Sequence, residues 1–278
     1  MTLNFSKKIA ICYACAGPTY RASALKKLEC RVKADNIKYF VLTDDKQYFN
    51  NILDQDIIVK ELNEFYAEFP ETEEYEFFIK TDSIEEYGNS FLKHGYVFPY
   101  SVMRFLIKMA HDEGITNIAL LGTDTDFNFS VVTDELLSDS DKLYCAVSWW
   151  PPYENEIRLI KIIQDVIKDL WNIEVPAPTM IYDEAARFYV FNSVAFTNTF
   201  FNMYHRLVVE LFKRNFLRTY CMGSYAYNEE IIMAVLYSAL NIQGMDPGLV
   251  PLFAVKHDSP TERPWTVGAG PWETKNNF

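Results

Sequence analysis

Three Asp-x-Asp pairs offer paired carboxylates, at Asp54/Asp56, Asp124/Asp126 and Asp139/Asp141. Side chains two residues apart on an extended segment project to the same side, so both aspartates of a pair can reach one cation. Hard divalent ions such as Mn²⁺ and Mg²⁺ prefer carboxylate oxygens and commonly keep substrate phosphates in their remaining positions. The residues preceding each pair separate them. Asp124 and Asp126 directly follow the apolar run Asn117 to Leu121, through Gly122-Thr123. Asp54 and Asp56 come before a strand-like run, and Asp139 and Asp141 sit in a polar turn. Asp124 and Asp126 are therefore the expected metal ligands, with turn formation and capping before Ser130 as the purely structural alternative.

Placing them requires a scaffold, and the chain supplies one. Lys8 to Ala16 predicts a buried first strand, broken by Gly17-Pro18 and followed by a short helix over Tyr20 to Glu29. Lys38 to Leu42 and Asp56 to Leu62 predict the next two strands. Residues 64–95 are acidic, aromatic and poorly periodic, an excursion carrying short helices. Ser101 to Glu113 has helical spacing, with Val102, Phe105, Leu106, Met109 and Ala110 on one face and Arg104, Lys108 and His111 on another. Further along, the pattern predicts a short helix over Val131 to Leu137, a strand over Lys142 to Trp149 and a helix over Ile157 to Trp171. It then predicts a strand over Arg187 to Thr197, helices over Thr199 to Phe216 and Asn228 to Leu240, and a last strand over Leu249 to Val255. Strands alternating with helices through short connections predict an α/β, Rossmann-like fold, its central sheet mostly parallel and flanked by helices. Such sheets bind mononucleotides at the carboxyl ends of their strands. We expect one domain over residues 1–278, with a nucleotide-binding part at about 7–130 and an acceptor and catalytic part at about 131–278.

Bulk properties narrow the function. A net charge of −12 argues against a nucleic-acid or anionic-membrane surface, and no stretch approaches the roughly 20 apolar residues of a membrane span. The start, Met1 to Lys8, is polar and precedes an apolar run too short for a secretory leader. Five scattered cysteines do not form a disulfide framework, and Cys12-x-x-Cys15 has no second pair to complete a zinc site. The expectation is a cytoplasmic protein with reduced thiols. His94, His111 and His205 read as surface or helix-face residues, whereas Trp149, Trp150 and Tyr153 beside Pro151-Pro152 form either a sugar-stacking platform or a packed loop.

An apolar strand ending in Asp124-Thr125-Asp126, preceded by a helix carrying Arg104, resembles the GT-A-fold glycosyltransferases, family eight in particular. That family's late His-x-x-Gly-x-x-Lys-Pro-Trp motif is matched in spacing by His257 to Trp265, with Pro260 at the glycine position and Arg263 at the lysine position. Phe191-Asn192-Ser193-Val194-Ala195 resembles the family's stretch beside the donor sugar, with Val194 in place of glycine. Asn228-Glu229-Glu230 stands where family eight has Asp-Gln-Asp and family six has Asp-Glu-Ser. The segments from Tyr13 to Tyr20 and from Phe40 to Asp45 also resemble family six.

The resemblance implies a glycosyltransferase in which Asp124, Asp126 and His257 hold Mn²⁺ or Mg²⁺ against a nucleotide-sugar diphosphate, with UDP-hexose as the donor. It implies that Arg263 and Arg104 contact the diphosphate, that Asn192 lies beside the donor sugar, and that the base lies near Tyr13, Ala14 and Tyr20 with Asp44 close by. Both families retain anomeric configuration, so Glu229, with Glu230 beside it, would act as nucleophile or electrostatic support; a helix-start glutamate facing solvent is the alternative. The acceptor is expected to be a glycan. Two rival readings are a sugar-phosphate nucleotidyltransferase, for which Ala16 to Arg21 is a poor phosphate loop, and a non-catalytic nucleotide-binding protein.

Overall fold

The computed structural model describes residues 3–15, 17–68, 98–123, 127, 129–137, 143–147, 149–150, 154–178, 181–182, 189–191, 194–214, 231–232, 234–236, 238–239 and 250–254. Strand β1 (Ile9–Cys15) leads through Gly17 into helix α1 (Pro18–Glu29), then β2 (Ile37–Thr43), a 3-10 helix (Lys46–Ile52) and β3 (Ile57–Glu61). Helix α2 (Leu62–Glu68) follows, then α3 (Phe98–Asp112) and β4 (Asn117–Leu121). The second half holds β5 (Leu143–Val147), β6 (Trp149–Trp150), α4 (Glu154–Trp171), β7 (Ile181–Tyr182), β8 (Tyr189–Phe191), α5 (Val194–Lys213) and β9 (Val250–Ala254). Residues 231–239 are helical wherever they are described.

Seven strands form one sheet in the order β3-β2-β1-β4-β8-β5-β9, and β6 pairs with β7 in a separate antiparallel ribbon. Every neighbouring pair in the main sheet is parallel except those made by β8, which runs antiparallel between β4 and β5. The fold is thus α/β with a mostly parallel sheet, as the strand and helix alternation predicts. Burial on both faces explains why β1, β2 and β4 read as nearly continuous apolar runs. Ala10, Cys12, Phe40, Leu42, Ile118 and Leu120 face a core shared with α3, α4, α5 and helical residues 231–239. Ile9, Ile11, Tyr13, Val41, Ala119 and Leu121 face a second core with Ala24 and Leu28 of α1, Phe49 and Phe129.

Two expectations change. Of the strand expected over Arg187 to Thr197, Tyr189–Phe191 is strand and Val194 to Thr197 belong instead to α5, while 187–188 and 192–193 lie outside the described residues. The helix over Val131 to Leu137 is instead a 3-10 turn at Phe129–Val131 and then a single further turn, closed by Leu137 N–H donating to Thr133 O at 3.0 Å. Asp134 is occupied elsewhere, accepting from the backbone N–H groups of Ser6 and Lys7 at 2.8 and 2.9 Å. The 3-10 helix at Lys46–Ile52 and the β6/β7 ribbon were not anticipated.

Cys12 and Cys15 point into opposite cores, as residues three apart on a strand must, so they do not form a site together. Burial pushes both thiols up, Cys15 to about 12, which keeps them unreactive. Asp54 and Asp56 do lie at the amino end of β3. Arg31, only 5% exposed, grips Asp56 with two hydrogen bonds, Nε to Oδ2 at 2.8 Å and Nη2 to Oδ1 at 2.9 Å, while Lys33 donates to Asp54 at 2.6 Å. This pair is a fastening between α1 and β3. Asp56→Ala is expected to lower unfolding free energy by about 2 kcal/mol, the scale of a charge-assisted bond lost beside a buried guanidinium. The denaturant midpoint is the measurement; an unmutated midpoint in Asp56→Ala would contradict the assignment.

Candidate functional site

The strand order turns back on itself at β1: β2 and β3 extend to one side, and β4 to the other. In open α/β sheets the crevice outside the carboxyl ends at such a switch point is where ligands bind. Register shows what reaches that edge. Cys15 pairs with Thr43, Tyr13 with Leu121, and Thr43 with Glu61, so β1 to β4 end nearly level. On the far side, Ile118 and Leu143 both pair with Phe191, and Leu120 and Cys145 both pair with Tyr189. Val147 therefore ends two residues beyond the level of Leu120, and Ala254 of β9 pairs with it. Every parallel strand delivers its next segment to one edge.

Between β1 and β4 that edge is tightly built. Ser23 Oγ of α1 donates to the carbonyl of buried Thr123 at 2.6 Å, pinning the exit of β4 against the first helix. Four residues on, Phe127 packs against the second core and meets Phe129 edge-on, with ring centroids 4.6 Å apart. The three residues between these anchors are Asp124, Thr125 and Asp126, which lie outside the described residues. So do Glu229, Glu230, Asn192, His257 and Arg263. Among the described residues no group of three or more His, Cys, Asp or Glu could hold a metal ion.

β9 ends at Ala254, three residues before His257, heading toward the same edge as β4. Three strand spacings separate β4 from β9, about 14 Å at roughly 4.8 Å each. Three extended residues span about 10 Å. β4 and β9 thus run out at the same edge, and Asp124, Asp126 and His257 beyond them lie outside the described residues. β8 behaves differently: Phe191 pairs with Ile118, near the amino end of β4, so the strand runs away from the carboxyl edge as it approaches Asn192.

Scanned against known protein families, the chain matches none, and no curated protein matches it. Among solved structures it is similar to the galactosyltransferase LgtC in complex with donor and acceptor sugar analogues. That likeness covers 94% of this chain and 87% of that one, at 11% identity and a TM-score of 0.38.

Of the expected nucleotide contacts, Tyr13 is buried in the second core and Tyr20 packs against it, whereas Ala14 lies on the other face. Arg104 sits half-buried on α3, on the face it shares with Lys108 and His111. Asp44 directly follows β2 and is held by two segments, the β1–α1 turn and α1. Its Oδ2 accepts from Gly17 N–H at 2.9 Å, and its Oδ1 accepts from Arg21 Nη1 at 2.6 Å. Burial would push this carboxyl up, but the bonds from Arg21 and Gly17 and the guanidinium charge outweigh it and hold Asp44 below the usual carboxylate range. Arg21, Ser23, Gly17 and Thr123 carry no motif, since their partners lie 23 to 100 residues away in sequence.

No helix among the described residues is long and apolar enough to cross a membrane.

Proposed function

We propose that this chain is a GT-A-type glycosyltransferase that moves a hexose from a nucleotide donor, UDP being the expected nucleotide, to a glycan acceptor. One observation carries the reading: β4 and β9, far apart in sequence, run out at the same sheet edge immediately before Asp124-x-Asp126 and His257. Two carboxylates and an imidazole suit Mn²⁺ or Mg²⁺ in a site that also takes phosphate oxygens. A bound ion of this kind supplies Lewis-acid stabilisation to the departing nucleoside diphosphate.

The chain's own residues supply the rest. Arg263 donates charge-assisted hydrogen bonds to the diphosphate, and a guanidinium does this in a bidentate way that compensates for the lysine it replaces. Arg104 adds a second cation where negative charge grows as the glycosidic bond breaks. Glu229 faces the anomeric carbon as nucleophile or as support for an oxocarbenium-like transition state, giving retention of configuration, with Glu230 as its neighbour. The base is expected where β1 passes into α1, around Ala14 and Tyr20, with buried Tyr13 behind them. Asn192 has the weakest claim to the donor sugar, given the direction of β8. Residues 1–278 act as one domain, its nucleotide half built on β1 to β4 and its acceptor half on the elements from β5 to β9.

A panel of nucleotide sugars with Mn²⁺, read as nucleoside diphosphate released with and without added glycans, tests this directly. Release that requires both the metal and one donor is the expected result. Pyrophosphate formed from a nucleoside triphosphate and a sugar phosphate would replace transfer with nucleotidyl chemistry. Turnover indifferent to chelator would overturn the metal assignment.

A further inference from the structure

Gly17, Arg21 and Asp44 close a ring of hydrogen bonds at the mouth of the site. Gly17 N–H donates to Asp44 Oδ2 at 2.9 Å, Arg21 Nη1 donates to Asp44 Oδ1 at 2.6 Å, and Arg21 N–H donates back to Gly17 O at 3.1 Å. Gly17 stands at φ 88° and ψ 158°, backbone that an L side chain rarely adopts, and no side chain caps the helix that begins after it. The β1–α1 turn therefore depends on an external anchor, and Asp44 provides it. Arg21 also ties in a third segment. Its guanidinium lies 5.5 Å from the ring centroid of Tyr48 in the 3-10 helix, and its Nε is buried without a hydrogen-bond partner. A cation held by one carboxylate and one ring face, with a donor left buried, is fixed in place by its surroundings. Asp44 is left with both oxygens engaged.

We infer that Arg21 and Asp44 are positioning residues that hold the β1–α1 turn in the conformation that receives the donor's nucleotide, Asp44 acting through Gly17 and Arg21. This rests on the proposal that the carboxyl edge takes a nucleotide, and it replaces a direct Asp44 contact to the base. Preorganising a loop raises affinity by removing the ordering that binding must otherwise supply. Without the anchor only a fraction of molecules present the competent turn, and apparent affinity falls by that fraction. Saturating donor restores the turn, so the chemical step is spared. The effect belongs in binding and KM, with kcat left nearly intact.

The test is titration calorimetry of UDP, GDP, ADP and CDP with Mn²⁺ on the full chain, paired with donor kinetics. Variants are Arg21→Met, Arg21→Lys, Asp44→Asn and the double Arg21→Met/Asp44→Asn. Each of Arg21→Met and Asp44→Asn should weaken the preferred nucleotide about tenfold and raise donor KM by a similar factor, with kcat within about twofold. Because both act through one turn, the double variant should be weaker than either single by no more than about twofold. Arg21→Lys, which keeps the charge and loses the fork, should fall between. Nucleotide affinity unchanged in both singles, while the unmutated chain binds, overturns the inference and leaves the proposed function standing. A fall in kcat at constant KM overturns it too, by assigning a direct role in the reaction. Failure of the unmutated chain to bind any of the four overturns both. Should Arg21→Met not fold, Arg21→Lys and Asp44→Asn carry the same comparison.

Discussion

Alanine at Asp124 or Asp126 is expected to reduce sugar transfer by about a thousandfold, and alanine at His257 by about a hundredfold. The scale comes from what a metal ligand does in such a site: several kcal/mol of stabilisation for leaving-group charge disappear with the ion, and each 1.36 kcal/mol is a factor of ten in rate. Removing either aspartate takes away a charged oxygen ligand. Removing His257 leaves both carboxylates, so weakened binding can be offset partly by excess Mn²⁺. Raising Mn²⁺ should thus restore part of the activity in His257→Ala and little in Asp124→Ala. Thermal midpoints should barely move, because the anchors around the acidic triplet are Thr123 and Phe127, neither of them altered. The informative control is Asp54→Ala, from an equally acidic pair that the fold assigns to Lys33 and Arg31 at the opposite edge. It should keep full metal dependence. If the three site variants transfer sugar at the unmutated rate, the convergence of β4 and β9 on one ion is wrong.

Much of that scaffold was legible because it is written in contiguous runs. β1, β2 and β4 are buried on both faces, so their apolar stretches stand out without any partner being known, and Asn117–Leu121 has the expected bounds. Helix α3 was legible through its 3.6-residue period, with Arg104, Lys108 and His111 all falling on the less buried face. The separation of the Asp-x-Asp pairs also came from local order, and Asp54/Asp56 lies where a pair preceding its strand must. What escaped is what long-range partners decide. Nothing near Arg21 announces Asp44, and nothing near Arg31 announces Asp56. The antiparallel insertion of β8 was hidden for the same reason: three residues are too few for periodicity to report, and direction is set by Ile118 and Leu143 on its two sides. A longer strand was expected there because the aromatic and β-branched residues continue past Phe191 into what becomes α5.

Phe40→Ala should lower unfolding free energy by about 3 to 5 kcal/mol, a large share of the roughly 5 to 15 kcal/mol that holds a typical domain together. Phe40 is fully buried in β2, paired with Cys12 on one side and Ile58 on the other. Its ring belongs to the core in which Phe65 meets Phe105 edge-on at 5.7 Å. A cavity there cannot be filled by a neighbouring strand, since strand spacing is set by backbone hydrogen bonds that survive the substitution. Those same bonds keep Thr43 opposite Cys15 and Glu61, so the molecules that remain folded should present Asp44 to Gly17 as before. Phe40→Ala and Arg21→Met should therefore part company. The first moves the denaturant midpoint at constant slope and leaves nucleotide affinity within about twofold, whereas the second moves affinity about tenfold. Leu53→Ala, at an exposed position, should change stability by no more than about 0.5 kcal/mol and serves as the baseline. A Phe40→Ala protein that unfolds at the unmutated midpoint would mean that β2 does not pack its even-numbered residues against α3, and the register that brings Asp44 to the site would fall with it.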